Sequence, residues 1–371
     1  MTMQEILDRF HAVASDPKAQ KDAYLASGKK VVLTAPVYTP EEIIHAMGMV
    51  PMGAWGGDME LQEAKRYFPA FICSIVQSMV ELGMRGAYAG ASAIVIPSLC
   101  DSLKVVGENW KYAVPSIPFI PMTYPQNRKT DFGVDFTLAG YRRVISDLEK
   151  ATGNTFAEEK LKESLEIYNR HNAVMRMLSG LLADHPEITN RQRSDIFKSA
   201  FFMLKEEHTA LALELVDALQ KSRPGVKKTR IYTTGILLDA PALLDILDEN
   251  GMQIVGDDVA AESRQYRTDA PTEGAPLDRL ARKFCAMDNC SLLYDVEKKR
   301  VPMIVEQAKQ RKADGVLFAL TKFCDPEEFD APLIRKACEA AELPFASIEV
   351  DRQMVNYEQA RTAIETFMEM L

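Results

Sequence analysis

The sequence predicts an α/β protein with two doubly wound, flavodoxin/Rossmann-like parallel-sheet domains and a helical segment between them. Three observations carry this. Short β-branched runs alternate with amphipathic stretches in the first third of the chain. From about residue 134 to residue 221 only helical periodicity remains. The alternation then returns in the last third. Strands that alternate with helices imply parallel strands joined by right-handed crossovers and covered on both faces. The expected domains are residues 1–133, 134–222 and 223–371.

Met1–Phe10, with Glu5, Asp8 and Arg9 among apolar residues, opens as an amphipathic helix. Lys30–Ala35 (KVVLTA) suits a strand buried on both faces. Thr39 offers an N-cap, Pro40 suits a first helical turn, and Glu41 and Glu42 favour the positive end of the dipole. Ile43, Ile44 and Met47 supply the apolar stripe, Gly48 closes the helix, and Met49–Trp55 reads as a second strand. Ala93–Pro97 (AIVIP) and Ile117–Met122 read as two more. In the middle segment, helices are predicted over Tyr141–Leu148, Glu158–Leu182, Gln192–Leu204 and Glu206–Leu219. The second carries Leu161, Leu165, Tyr168 and Met175 at helical spacing.

The last third echoes the first. Lys29-Lys30 and Lys227-Lys228 each precede a strand. Pro40 and Pro241 each open a helix, and Gly48-Met49 and Gly251-Met252 each lead into a second strand. Further on, Ile94–Pro97 runs into Cys100-Asp101, and Val316–Thr321 runs into Cys324-Asp325. The pattern reads as a structural repeat.

Composition excludes several function classes. Charged residues at 26% and hydrophobic ones at 47% are ordinary for a globular chain able to bury a large core. A net charge of −9, with basic residues only in short scattered clusters, lacks the basic face a nucleic-acid binder needs. No apolar run approaches the ~20 residues of a membrane span, and Met1–Phe10 lacks the layout of a signal peptide. The expectation is a cytoplasmic protein with no membrane or nucleic-acid partner. Its six cysteines are then not disulfide-bonded.

Ligands of doubly wound sheets sit beyond the carboxyl ends of the strands, where Cys100 and Cys324 both fall. Facing domains would bring these thiols together as metal ligands; the competing reading is that each is a small apolar residue capping a buried strand. Cys73 follows Pro69, which marks a helix start, so its thiol lies in a first turn where the dipole favours thiolate. Cys285 and Cys290 form the one close pair, at a helix end running into a strand Leu292–Tyr294, and are expected to pack. Cys338, on a predicted helix Pro332–Ala341, is expected in the core. Glu42 and His45 lie on the first post-strand helix; for His45 a packed or surface role outweighs a catalytic one.

Seven stretches together carry a family resemblance: Pro40–Met49 (PEEIIHAMGM), Tyr67–Ser74 (YFPAFICS), Ile96–Leu103 (IPSLCDSL), Tyr124–Arg128 (YPQNR), Lys322–Glu328 (KFCDPEE), Asp351–Gln353 and Gln359–Thr362. The chain resembles the beta subunits of the 2-hydroxyacyl-CoA dehydratases, relatives of benzoyl-CoA reductase subunits. The resemblance implies one [4Fe–4S] cluster held by Cys73, Cys100 and Cys324, with a non-protein fourth ligand. It implies a heterodimer with a homologous alpha subunit that holds most of the acyl-CoA substrate. It also implies an ATP-hydrolysing iron–sulfur activator protein that injects one electron. The reaction it implies removes water from an (R)-2-hydroxyacyl-CoA to give a 2-enoyl-CoA by way of a ketyl radical, because the β-proton is not acidic until the thioester has been reduced. Here the cofactor carries the hard step, and the protein supplies binding and tuning.

No acid or base in this chain is assigned, and the acyl group is not legible. The Pro36–Thr39 turn sits where a catalytic paralogue would handle substrate. Two further readings stand beside this one. The chain could be a subunit of an aryl-CoA reductase or a double-cluster reductase, the latter needing Cys285 and Cys290 as extra ligands. It could also be a cluster-free α/β binding or scaffold protein.

Overall fold

The computed structural model describes residues 1–371. Helices α1 (Met3–Ser15) and α2 (Pro17–Ala26) lead into β1 (Val31–Thr34), α3 (Glu41–Ala46), β2 (Val50–Gly53), α4 (Ser74–Met84), β3 (Ala93–Pro97), α5 (Asp101–Ala113) and β4 (Phe119–Met122). Four helices follow without a strand: α6 (Asp131–Thr152), α7 (Glu158–Leu182), α8 (Asn190–Ser199) and α9 (Lys205–Lys221). The last third runs β5 (Thr229–Gly235), α10 (Pro241–Glu249), β6 (Met252–Val259), α11 (Pro276–Ala286), α12 (Arg300–Gln310), β7 (Gly315–Thr321), α13 (Asp325–Ala340), β8 (Phe345–Val350) and α14 (Glu358–Met370).

Both sheets are four-stranded and parallel, in the orders β2-β1-β3-β4 and β6-β5-β7-β8. The two orders correspond strand for strand, as the sequence echo predicts. In each, the chain moves outward from β1 or β5 in one direction and from β3 or β7 in the other. The switch point therefore lies between the two central strands, where such folds open a crevice for ligands. Gly235 closes β5 at this point with φ +147°; a Cβ there would stand 2.3 Å from the Ala319 carbonyl oxygen of β7, so only glycine fits.

Strand residues alternate between two cores, as a period of two requires. Val31, Leu33, Ile94 and Ile96 pack with α4 and α5, while Val32, Ala93 and Val95 pack with α3, α6 and α11. The second sheet places α10 and α14 on one face and α12 and α13 on the other. Ile6, Leu7 and Phe10 of α1 pack with α7, α8 and α9 in a separate core, so the first helix covers the helical segment.

Several sequence expectations shift. Pro40, not Thr39, is the N-cap of α3, because the Thr39 hydroxyl donates to the Ala35 carbonyl (2.8 Å) and is spent in the turn. Helix α13 starts at Asp325 with Pro326 in its first turn and Pro332 inside it, seven residues before the expected start. Leu292–Tyr294 is not a strand; no sheet edge lies alongside, and the buried Arg128 takes the Tyr294 carbonyl instead (2.7 Å). Helix α8 stops at Ser199, where the Phe201 carbonyl turns to accept the Gly53 N–H (2.8 Å).

Candidate functional site

Cys100 and Cys324 occupy matching places. Each lies three residues past a central strand, at the N-cap of the next helix, α5 or α13. Phe323 takes φ +61° to turn the chain there, a conformation bulky residues rarely adopt. Cys73 is also an N-cap, of α4. Pro69 therefore does not start that helix; Ser74 does. The three thiols border one cleft of about 610 Å3 between the two sheet halves, shared with Val37, Ile236 and Leu292. Cys324 belongs to the same apolar core as the N-terminal sheet, which shows how tightly the halves meet.

The expectation of a lowered Cys73 pKa is overturned. Burial pushes the Cys73 thiol up to about 12, against the backbone N–H groups of Ile75 and Val76, which favour thiolate. Burial also raises Cys100, opposed by the N–H groups of Leu103 and Ser102. Cys324 is raised well above the usual thiol range by burial and then by the carboxylate of Glu327. Left free, these are protonated thiols at neutral pH.

The donor set nonetheless suits an iron–sulfur cluster. Three helices of 11, 13 and 16 residues direct their positive ends into the cleft, and three dipoles favour an anionic centre. In such a cluster each thiolate binds its own iron, so the sulfur atoms need not close on one ion. No group of His, Cys, Asp or Glu here is spaced for a single ion. Cys73, Cys100 and Cys324 would hold three irons.

The other cysteines are elsewhere. Cys285 and Cys290 lie in the core beneath α6 and α11, against the Thr137 hydroxyl (3.9 Å) and the Arg264 guanidinium (3.5 Å). Neither borders the cleft. Cys338 is fully buried between α12, α13 and β7. His45 is held by Ser164 (2.9 Å) and Glu206 (3.3 Å), outside the cleft. Glu42 is buried against Lys283 (2.6 Å) and faces an inner cavity of about 80 Å3, separated from the cleft by the Pro36–Val37 turn that borders both. Asp101 and Asp325, next to two of the thiols, are exposed and solvent-screened.

A buried ionic network behind Cys324 has no counterpart in the sequence reading. Glu327, in the first turn of α13, receives Arg264 (3.0 Å), Arg300 (2.8 Å) and the Ser291 hydroxyl (2.7 Å). Both arginines also bond Asp258, and Arg300 bonds Asp330. The signal available in the sequence is Glu327, one turn beyond Cys324; its partners come from three other segments. Arg128 holds the Met287 and Tyr294 carbonyls, each at 2.7 Å, on either side of Ser291 in the same segment. Tyr294, Val296 and Phe329 line the cleft yet stay largely exposed, as does Phe71 near Cys73.

Two like-built parallel sheets that face each other across a thiol-bordered cleft define a two-lobed α/β protein whose site draws on both lobes. A family described as 2-hydroxyglutaryl-CoA dehydratase, D-component, matches residues 36–371. The chain is 48% identical over 98% of its length to the (R)-phenyllactyl-CoA dehydratase beta subunit of Clostridium sporogenes, covering 97% of that protein. It is 40% identical over its full length to the lactoyl-CoA dehydratase subunit beta of Anaerotignum propionicum, covering 99% of it. A benzoyl-CoA reductase subunit of Thauera aromatica is 25% identical, again over the full chain and 99% of that protein. The chain belongs to this dehydratase family, as one of its beta-type subunits.

Proposed function

We propose that this chain is the iron–sulfur beta subunit of a heterodimeric 2-hydroxyacyl-CoA dehydratase. The complex would remove water from an (R)-2-hydroxyacyl-CoA to give the 2-enoyl-CoA, after one-electron reduction by an ATP-hydrolysing activator. The observation that carries the reading is the convergence of Cys73, Cys100 and Cys324 at three helix N-caps around one cleft. A [4Fe–4S] cluster would be held there by Cys73, Cys100 and Cys324 and would supply low-potential one-electron chemistry to the complex. The chain's own groups do the rest. The helix ends offset the negative charge of thiolates and sulfide, Val37, Ile236 and Leu292 keep water from the buried side, and the Glu327–Arg264–Arg300 network fixes the segment bearing Cys324.

The exposed apolar residues at the cleft mouth fit burial by the homologous alpha subunit, which would hold the acyl-CoA. The similarity to a phenyllactyl-CoA enzyme makes aryl-substituted 2-hydroxyacyl thioesters the first class to assay. The double-cluster reading loses its extra thiols, since Cys285 and Cys290 face the core.

Anaerobic purification with the partner subunit tests this. About four irons per chain supports one cluster, about eight a double cluster, and none a cluster-free protein. Cys100→Ser and Cys324→Ser should each lose the iron and the dehydratase activity of the pair. Full iron and full turnover in either variant would overturn that ligand.

A further inference from the structure

One side chain bridges the two lobes and meets the helical segment through a shared carboxylate. Arg352 lies two residues past the end of β8 and is 4% exposed. Its guanidinium donates to Asp58 of the N-terminal half (2.8 Å) and to both carboxylate oxygens of Asp239 in the C-terminal half (2.9 and 3.2 Å). Asp239 also receives Lys198 of α8, at 3.0 Å. These cations hold the Asp239 carboxyl well below the usual carboxylate range, against its burial. The Arg352 main chain joins the lobes as well. Its N–H donates to the Ser74 hydroxyl (3.0 Å), and its carbonyl accepts the Met59 N–H (2.9 Å).

The location gives these bonds their meaning. Ser74 is the first residue of α4, directly after Cys73. Strand β8 pairs along its length with β7, which runs straight into Cys324. A single residue thus connects the segment that carries Cys73 to the edge strand beside the one that runs into Cys324. The Arg352 Nε and the Thr321 hydroxyl, three residues before Cys324, are both buried without a protein partner. Both residues border one cavity of about 20 Å3, room for a single water. A bidentate arginine suits such a joint because its planar fork fixes direction as well as charge; lysine offers only a point charge.

We propose that Arg352 is a positioning residue that sets the separation of Cys73 and Cys324, its guanidinium bridging Asp58 and Asp239 while its backbone holds Ser74. This rests on the iron–sulfur reading above. The role extends to no contact with the reacting atoms. It determines whether two thiols from opposite lobes stand where one centre can take both.

The test uses the full chain in two forms. In a Cys100→Ser background without iron, phenylarsine oxide serves as the probe. Its trivalent arsenic takes two thiols and releases water, so the binding that a further Cys73→Ser change abolishes reports the approach of Cys73 and Cys324 across the cleft. Arg352→Gln should weaken that binding at least tenfold, and Arg352→Lys should rescue it only in part. Asp58→Asn, which removes one partly exposed partner and leaves the core intact, should weaken it severalfold, and it carries the test if Arg352→Gln fails to fold. In the iron-loaded wild-type background, the same substitutions should speed chelator-driven iron loss by a similar factor and alter the EPR spectrum of the reduced chain. Leu215→Ala, a destabilising change in the separate core of the helical segment, is the reference for lost stability alone. If the Arg352 and Asp58 variants behave like Leu215→Ala in arsenic affinity and iron loss, the proposal is overturned. If wild type binds no iron while arsenic affinity still falls in the variants, the positioning role stands and the iron–sulfur reading fails.

Discussion

Buried titratable residues give single side chains leverage on the whole fold. His171 and His208 lie together in the helical segment, His171 Nε2 standing 3.1 Å from His208 Nδ1. The Ile196 carbonyl, 3.0 Å from His208 Nε2, can only accept. His208 therefore carries its proton on Nε2 and accepts at Nδ1 from His171. Burial lowers His208 to about 3 and holds His171 well below its ordinary value. The unfolded chain, with histidines near pKa ~6.5, then binds more protons than the folded one below that pH. Their contribution is intact above pH ~6.5 and falls as the pH drops, by up to about 1.4 kcal/mol per pH unit for each histidine. His208→Gln should flatten this slope in thermal unfolding between pH 5 and 6.5; identical slopes would remove the argument. Cys338→Ser should leave iron content unchanged, since the thiol is far from the cleft. It should also cost about 1–3 kcal/mol by placing a hydroxyl in an apolar site, as a denaturation series would show.

Among the elements, α11 matters most for how the halves hold together. It belongs by sequence to the last third, yet Leu277, Leu280, Ala281 and Phe284 cover the N-terminal sheet beside α6. The Phe284 ring stacks on Tyr124 with centroids 3.8 Å apart. Phe284→Ala should therefore cost about 3–5 kcal/mol, read as a lower denaturant midpoint. The segment after α11 forms a cleft wall through Arg128. Arg128→Ala should leave α11 docked but free residues 287–296, detectable as faster amide exchange there than in α11. The helical periodicity of this region is visible in the sequence, but the sheet that it covers is not, because the apolar stripe is the same whichever sheet receives it.

At the scale of the molecule, neither sheet half is a self-sufficient unit. The face of the N-terminal sheet away from α4 and α5 is closed by α6 and α11, and its other core continues into Ile236, Leu237 and Val259 of the second half. A fragment ending at residue 133 would expose both surfaces. It should be unfolded or aggregated by circular dichroism and limited proteolysis, whereas the full chain resists digestion. The cleft mouth adds exposed Tyr294, Val296 and Phe329, so the isolated chain should bind a hydrophobic dye that the partner subunit displaces.

The sequence by itself determined the two α/β repeats, the intervening helices and the position of Cys100 and Cys324 at strand ends. These follow from local periodicity and from the rule that doubly wound sheets present ligands beyond their carboxyl edges. Cys73 stands out in the sequence as a thiol after a proline that signals a helix start and becomes a ligand only through the motif resemblance; the helix itself begins at Ser74. Only the tertiary structure decided that the three thiols share one cleft and that burial outweighs the backbone N–H groups at each free thiol. It alone revealed the networks around Glu327 and Arg352. Their partners come from elements distant in sequence, and pairing among buried charges depends on which surfaces meet.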